Sequence, residues 1–211
     1  AVLPDVAQAA QGAVVHLHLS EQPAENEQAM QAWGLTPTQV VAEAGLLGER
    51  TTVVHATHLR TGDIALLGEA GGYACFCPTT ERDLADGVGP SRALAQAGVR
   101  LTVGSDSQAV IDAFEELRAV ELNERLASGV RGAWTPEQLL HAGTVHGQQS
   151  LGFDDAGEIA VGQRADLVLV DDASVRLAGT GDSVAALLFA ASAADVVAVM
   201  ADGVWHDAQQ L

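Results

Sequence analysis

The 211-residue chain contains no lysine; all ten of its basic residues are arginine. With alanine abundant and 22 glycines, that pattern reflects GC-rich codon usage and carries no functional information. Cysteine is scarce: Cys75 and Cys77 stand two apart in one expected strand. Neighbours at i and i+2 share a strand face, but a disulfide between them is strained and rare. The pair therefore reads as reduced packing residues, which suits a cytoplasmic location. Positive charge is scarce too. Against 28 acidic residues the arginines leave a net charge of −18, which repels duplex nucleic acid and anionic membrane and makes both poor partners. No apolar run reaches the ~18 residues of a membrane span, and no signal peptide is recognisable. What is plentiful is hydrophobe. A balance of 48% apolar to 18% charged residues belongs to a folded chain with a sizeable core, not to a disordered one.

From residue 13 short apolar runs alternate with amphipathic stretches. Strands are expected at 13–20, 51–59, 72–78 and 99–107. Helices are expected at 25–48 (with stops at Gly34 and Gly48), 61–71 and 89–98. Four βα units in succession argue for an α/β fold with a parallel sheet. A long helix is expected at 110–127 and another at 134–152, the latter with Thr135 as N-cap, Pro136 at N1 and Gln138 at N3. The texture changes near residue 153. Beyond it lie two short strands in 157–173, a small helix at 183–192, and two strands across an Asp202-Gly203 hairpin turn.

Polar clusters interrupt three strand ends, the rim where parallel α/β barrels build their sites. On the first, alternation sets His16, His18 and Ser20 on one face and Leu17 and Leu19 on the other. Two imidazoles aimed into a barrel are costly unless they bind something, or unless they are hydrogen-bonded core histidines. On the second, His55 shares a face with Val53 and Thr57 and points inward if Val53 does, while His58 falls near the loop. The third is Gly104-Ser105-Asp106-Ser107, a carboxylate that can ligate a metal, act as a base, or cap the next helix. Imidazole nitrogen and carboxylate oxygen together suit a catalytic zinc site, and a carboxyl group such as Glu21 beside it can move protons. His141 and His146, five apart on one expected helix, do not form an i, i+4 metal pair, and His206 reads as a surface residue.

The order H-x-x-E (His18, Glu21), a lone His (His55) and S-D (Ser105, Asp106) resembles the deaminase branch of the amidohydrolase superfamily. Thr144-Val145-His146-Gly147, Leu151-Gly152 and the run from Gly157 to Val168 resemble that family's return to a small β-sandwich. Within the branch, HLHLSEQPAENE (16–27), VVHATHL (53–59), CPTTERDLADGVGP (77–90) and GSDSQAVIDAFEELRAVE (104–121) are similar to the formimidoylglutamate deiminases of histidine degradation. The resemblance implies the C-terminal half of a TIM-type (β/α)8 barrel: strands five to eight in residues 1–153, then part of a composite β-sandwich in 154–211. It implies His18 and Asp106 as metal ligands, Glu21 as proton shuttle, His55 as the group polarising substrate or water, and Asp106 also as base. His16 and Arg82 would contact substrate. The cofactor would be zinc, with iron as an alternative, and the substrate a small molecule. The reaction would be hydrolysis of N-formimidoyl-L-glutamate to N-formyl-L-glutamate and ammonia.

One element of the family pattern has no counterpart here: the H-x-H pair of the first barrel strand. His16 and His18 have its spacing, but Glu21 marks them as the fifth-strand motif. The opening AVLPDVAQAAQG lacks Met and reads as mid-helix, so the first barrel half is expected from the same protein, with a second chain or a free-standing half-barrel that dimerises as the alternatives. A homodimer is expected of the full-length enzyme. The other readings are half of a guanine, adenosine-derivative or halo-triazine deaminase, or a non-catalytic module that folds only with a partner.

Overall fold

The computed structural model describes residues 2–107 and 110–207; Gln108 and Ala109, within the 104–121 stretch, lie outside them. A short helix α1 (Leu3–Ala9) precedes β1 (Val15–Leu19), α2 (Pro23–Trp33), α3 (Pro37–Glu43) and β2 (Thr51–His55). Then come α4 (Thr61–Ala70), β3 (Tyr73–Phe76), α5 (Pro78–Asp83), α6 (Ser91–Gln96) and β4 (Arg100–Val103). Helices α7 (Ala113–Ser128), α8 (Pro136–Gly143) and α9 (Val145–Ser150) follow. The last part holds β5 (Leu167–Val170), α10 (Val184–Ala190), a 3-10 turn at Ala193–Asp195, β6 (Val196–Ala201) and β7 (Val204–Asp207).

Strands β1 to β4 pair in parallel and in sequential order. Their register sets Leu17, Val53, Ala74 and Leu101 in one row. That row and Leu19 and Phe76 face the helices, where Val41, Leu46, Leu67, Leu94, Leu117 and Leu139 complete one core. The opposite face carries His18, Val54, Cys75 and Thr102 in one row, and His16, Thr52, Tyr73 and Arg100 in the next. His16 and His18 are exposed on it. Cys75 and Cys77 are free thiols. No helix among the described residues is long and apolar enough to cross a membrane.

Local chemistry explains the helix ends. Pro23 starts α2 and a left-handed Gly34 ends it. Thr36 and Gln39 form a capping box on α3, and the Thr36 hydroxyl also donates to Asp63 at 2.5 Å. The second oxygen of Asp63 accepts from the Arg60 amide at the start of α4, so one buried carboxylate joins two helices. Asp112 caps α7 by accepting from the amides of Phe114 and Glu115. The buried Glu121 accepts from the amides of Gly132 and Trp134 and from Arg125, fastening the α7–α8 loop to α7.

Several boundaries differ from the sequence reading. Helix α3 ends at Glu43 and the left-handed residue beyond it is Gly45, not Gly48. The 134–152 helix is two helices, because Thr144 leaves helical geometry at φ −118, ψ −87. The expected capping box at its start is present. Only one of the two strands expected in 157–173 forms. Gly157, at φ +97, lies so close to α9 that a Cβ would meet the Val145 backbone at 2.7 Å, and the chain there turns instead of extending. The Asp202-Gly203 turn does join β6 to β7, with both residues at positive φ. Helix α5 was not anticipated.

In the second sheet β6 lies between β5 and β7, all antiparallel. Arg176 grips Asp195 through two 2.7 Å bonds, and the Ser192 amide donates to the same carboxylate at 2.8 Å. The Arg176 bonds chiefly hold the Asp195 carboxyl far below the usual carboxylate range. A group depressed in the folded state contributes stability that is complete above its unfolded pKa of ~3.9 and is lost as pH falls through its folded value. Urea unfolding of Arg176→Gln should therefore show a lower midpoint than the parent chain at pH 6. The gap should narrow progressively below about pH 3.9; a gap independent of pH down to pH 1 would contradict this linkage.

Candidate active site

Three of the four parallel strands end in the same unusual way. Ser20 after β1, His55 and Ala56 at the end of β2, and Asp106 beyond β4 have φ of 50, 67, 50 and 51. Non-glycine residues avoid this left-handed region, and holding one there costs on the order of 1–3 kcal/mol. The bends break strand alternation. Val53 packs in the helix-side core, so plain alternation would send His55 the same way. The left-handed pair at 55 and 56 turns the imidazole to the opposite side instead, where it stacks on His18 with centroids 5.3 Å apart. The expectation that His55 and Val53 share the inward face is thus corrected, although His55 does reach the inward cluster.

His18, His55 and Asp106 each offer a ligand atom, all within 4.8 Å of one another. His18 Nε2 lies 3.7 Å from Asp106 Oδ1, and His55 Nε2 lies 3.6 Å from both Asp106 Oδ2 and Glu21 Oε1. These gaps are too long for hydrogen bonds. They match the ~3.4 Å that separates two ligand atoms held ~2.1 Å from a tetrahedral ion. His55 Nε2 is buried and has no hydrogen-bond partner. An orphaned buried nitrogen among carboxylates at ligand spacing fits a divalent cation with nitrogen and oxygen ligands.

Behind the cluster stands a group that sequence reasoning missed. Glu81, on α5, is buried; its Oε1 accepts from the Cys77 amide at 2.8 Å and lies 3.3 Å from His55 Nδ1. A carboxylate there keeps the proton on Nδ1 and leaves Nε2 to face Glu21 and Asp106. The neighbouring Thr80 hydroxyl donates to the Ser105 carbonyl at 2.8 Å and lies 2.9 Å from Ser107 Oγ, which sets the loop of Asp106. Two adjacent residues of α5 therefore support both His55 and Asp106. The available signal was Pro78 directly after a strand, which opens a helix and places acidic Glu81 in its first turn.

Burial opposes a charge on His55, but the Glu81 bond and the charges of Glu21, Glu81 and Asp106 outweigh it and raise its pKa. Burial is also the main influence on Glu21; with Asp86 and Asp106 it raises that carboxyl above the ordinary range, against His55 and His18. The Glu21 loop is tied down by its neighbours. Ser20 Oγ donates to Asn26, whose amide donates to the His58 carbonyl, and His58 Nε2 meets the Asp86 carbonyl at 2.7 Å. His58 is thus a loop-fastening histidine.

Two other candidates are engaged elsewhere. His16 Nε2 donates to the Ser150 carbonyl at 2.9 Å, beneath the sheet. Arg82 donates to Glu115 at 2.8 Å and to the Pro78 carbonyl. His206 is exposed on β7.

Parallel strands with a His/His/Asp cluster at one end define a metal-site α/β architecture, and comparison with known proteins agrees. The amidohydrolase family model matches residues 3–206, and the chain belongs to that family. It is 35% identical over 192 residues to a 5-methylthioadenosine/S-adenosylhomocysteine deaminase of Halobacterium salinarum, covering 90% of this chain and 44% of the relative. It is 36% identical over 201 residues to a formimidoylglutamate deiminase of Pseudomonas aeruginosa, covering 90% and 44%. An adenosine deaminase from Xanthomonas campestris, solved with bound zinc, superposes with a TM-score of 0.91 at 30% identity over 96% of this chain and 48% of that one. The chain thus spans about half the length of the relatives it matches.

Glu81→Ala should leave the Cys77 amide and the His55 ring nitrogen buried without an acceptor, at ~1–3 kcal/mol for each. Urea unfolding should show a combined loss of about 3 kcal/mol, and Glu81→Gln, which keeps an acceptor oxygen, a smaller one. Equal losses in the two variants would show that Glu81 contributes by packing alone.

Proposed function

We propose that this chain is the C-terminal half of a metal-dependent hydrolytic deaminase, with residues 1–153 forming strands five to eight of a (β/α)8 barrel and 154–211 part of the accompanying β-sandwich. The observation that carries this reading is the convergence of His18, His55 and Asp106 beside Glu21 at the carboxyl ends of parallel strands. His18 and Asp106 would hold zinc, the ion bound by the Xanthomonas neighbour. A divalent metal there would supply Lewis acidity at the reacting centre.

The chain's own residues supply the rest. Asp106 accepts the proton of the attacking water. Glu21, its carboxyl already raised, carries protons to the departing nitrogen and makes ammonia the leaving group. His55, oriented by Glu81, presents Nε2 to the reacting centre. His16 and Arg82 stand as candidate substrate contacts, each after release from its present partner. The free thiols fit a reducing, cytoplasmic setting, and the full-length enzyme is read as a homodimer.

The preferred substrate is N-formimidoyl-L-glutamate, on the resemblance of 77–90 and 104–121. An aminopurine nucleoside is the second reading, favoured by the 35% identity to the Halobacterium deaminase. Either substrate needs recognition groups from the other barrel half. Misplacing a substrate by ~1 Å costs about 10²-fold in rate. The 211-residue chain with added zinc should therefore release no ammonia from N-formimidoyl-L-glutamate. Joined to its upstream half, it should release ammonia from that compound at least 100-fold faster than from 5-methylthioadenosine. The reverse preference would establish the nucleoside reading, and turnover by the isolated chain would overturn the half-barrel reading. Glu21→Gln in the joined enzyme should abolish turnover while zinc content stays unchanged.

A further inference from the structure

At the amino-terminal end of β4, the opposite end from Asp106, a cleft of about 440 Å³ opens between α6, β4 and α8. Arg92, Arg100, His141, His146 and Gln138 line it together with Trp134, and no acidic side chain does. In a chain with 28 acidic and 10 basic residues, four cationic or titratable basic groups around one cavity run against the composition.

Their donors are underused. The Arg92 guanidinium lies 5.2 Å from the Trp134 ring centroid, with no hydrogen bond or ion pair among the described residues. Arg100 lies 3.8 Å from the Tyr73 ring and donates to the carbonyls of Glu49 and Gly71, partners that leave its charge unbalanced. His141 is exposed and makes no hydrogen bond among the described residues. Its ring meets that of His146 edge-on, with centroids 4.4 Å apart. The break at Thr144 brings these two together, five residues apart. His146 Nδ1 is committed to the Leu101 carbonyl at 3.1 Å, which leaves Nε2 unassigned. Burial chiefly, with His141 and Arg100 adding to it, pushes the His146 imidazole below its ordinary pKa.

We propose that this cleft is a second binding site, one that takes a dianionic phosphoryl group. Two guanidiniums without carboxylate partners are balanced by a dianion and not by a single carboxylate, and guanidinium forks match phosphoryl oxygens. The Gln138 amide and the exposed His141 ring add further donors. The volume exceeds that of inorganic phosphate, and Val99, Leu101 and Trp134 supply an apolar wall, so the group arrives as the ester of a small apolar body. The cleft shares no residue with the His18–Asp106 cluster, and the inference is independent of the proposed reaction.

Calorimetric titration of the chain joined to its upstream half, at low salt, tests it, with inorganic phosphate, phenyl phosphate and glutarate as probes. One saturable site is expected, about tenfold tighter for phenyl phosphate than for phosphate, with glutarate weaker than both. Arg92→Gln and, separately, His141→Gln, an exposed position where folding is not at stake, should each weaken phenyl phosphate binding about fivefold or more. Asp106→Asn should leave it unchanged. Phosphate binding as tightly as its ester would keep the phosphoryl site and assign it to the free anion. Absence of saturable binding, binding indifferent to both variants, or glutarate binding as tightly as phosphate would overturn the proposal.

Discussion

The contact between His55 Nδ1 and Glu81 Oε1 is the one on which the site depends. His55 is completely buried and sits at a left-handed backbone position, so neither solvent nor strand geometry holds it in place. Glu81 does, and the Cys77 amide holds Glu81 in turn. Because Nδ1 faces Glu81, Nε2 must face Glu21 and Asp106, and three groups that would otherwise be separate strand-end residues share one centre. The same helix turn carries Thr80, which secures the Asp106 loop. Helix α5 is six residues long, yet it supports both sides of the cluster. Its own position is fixed from α7, where buried Glu116 accepts from the Thr79 amide and hydroxyl.

Glu116 is one of a set. Asp63, Glu121 and Asp195 are all buried, and each accepts from at least one backbone amide; Asp63 also accepts from the Thr36 hydroxyl, and Glu121 and Asp195 from an arginine. A chain with net charge −18 is under self-repulsion. Spreading a buried carboxylate over amide donors offsets its desolvation without needing a cation for each. The ten arginines are then free for selective use. Arg118 reaches the carbonyls of Leu188 and Ala191 to dock α10, and Arg176 closes the second sheet. Arg92 and Arg100 are among the five arginines with no carboxylate partner among the described residues, and these two line the same cleft.

The βα alternation and most helix boundaries were legible in the sequence, because capping boxes and strand patterns are local. Thr135-Pro136 with Gln138 at N3 and the Asp202-Gly203 turn formed as local chemistry dictates. Where nonlocal packing decides, the sequence reading failed. Gly157 looked like part of a strand, but its close approach to Val145 turns the chain. Thr144 looked helical, but its backbone breaks the helix. The membership of His18, Glu21, His55 and Asp106 in one cluster could be read from motif order; the reason His55 reaches it could not. Strand parity pointed to the side of Val53, and only the φ values at 55 and 56 reverse that. Glu81 was overlooked because Pro78, which opens α5 and places Glu81 in its first turn, was read only as the end of a strand.

The division of labour across the fold bears on specificity. The cluster and its supports, from Ser20 to Glu81 to Asp106, contain the groups to which the proposed reading gives proton transfer and ion coordination. Around them, His16 and His18 are exposed, and β1 and β4 are the edges of the sheet among the described residues. Exposed strand edges are features that folded proteins cover. Covering them with further strands, as the proposed barrel does, would bring new side chains opposite the cluster, where a substrate must lie. Relatives named for quite different substrates match this same stretch at 35% and 36% identity. Near-equal likeness is expected where a segment carries the chemistry that such enzymes share and little of what tells their substrates apart. On the proposed reading the proton-transfer apparatus would belong to this chain, and selectivity would be set chiefly by what faces it.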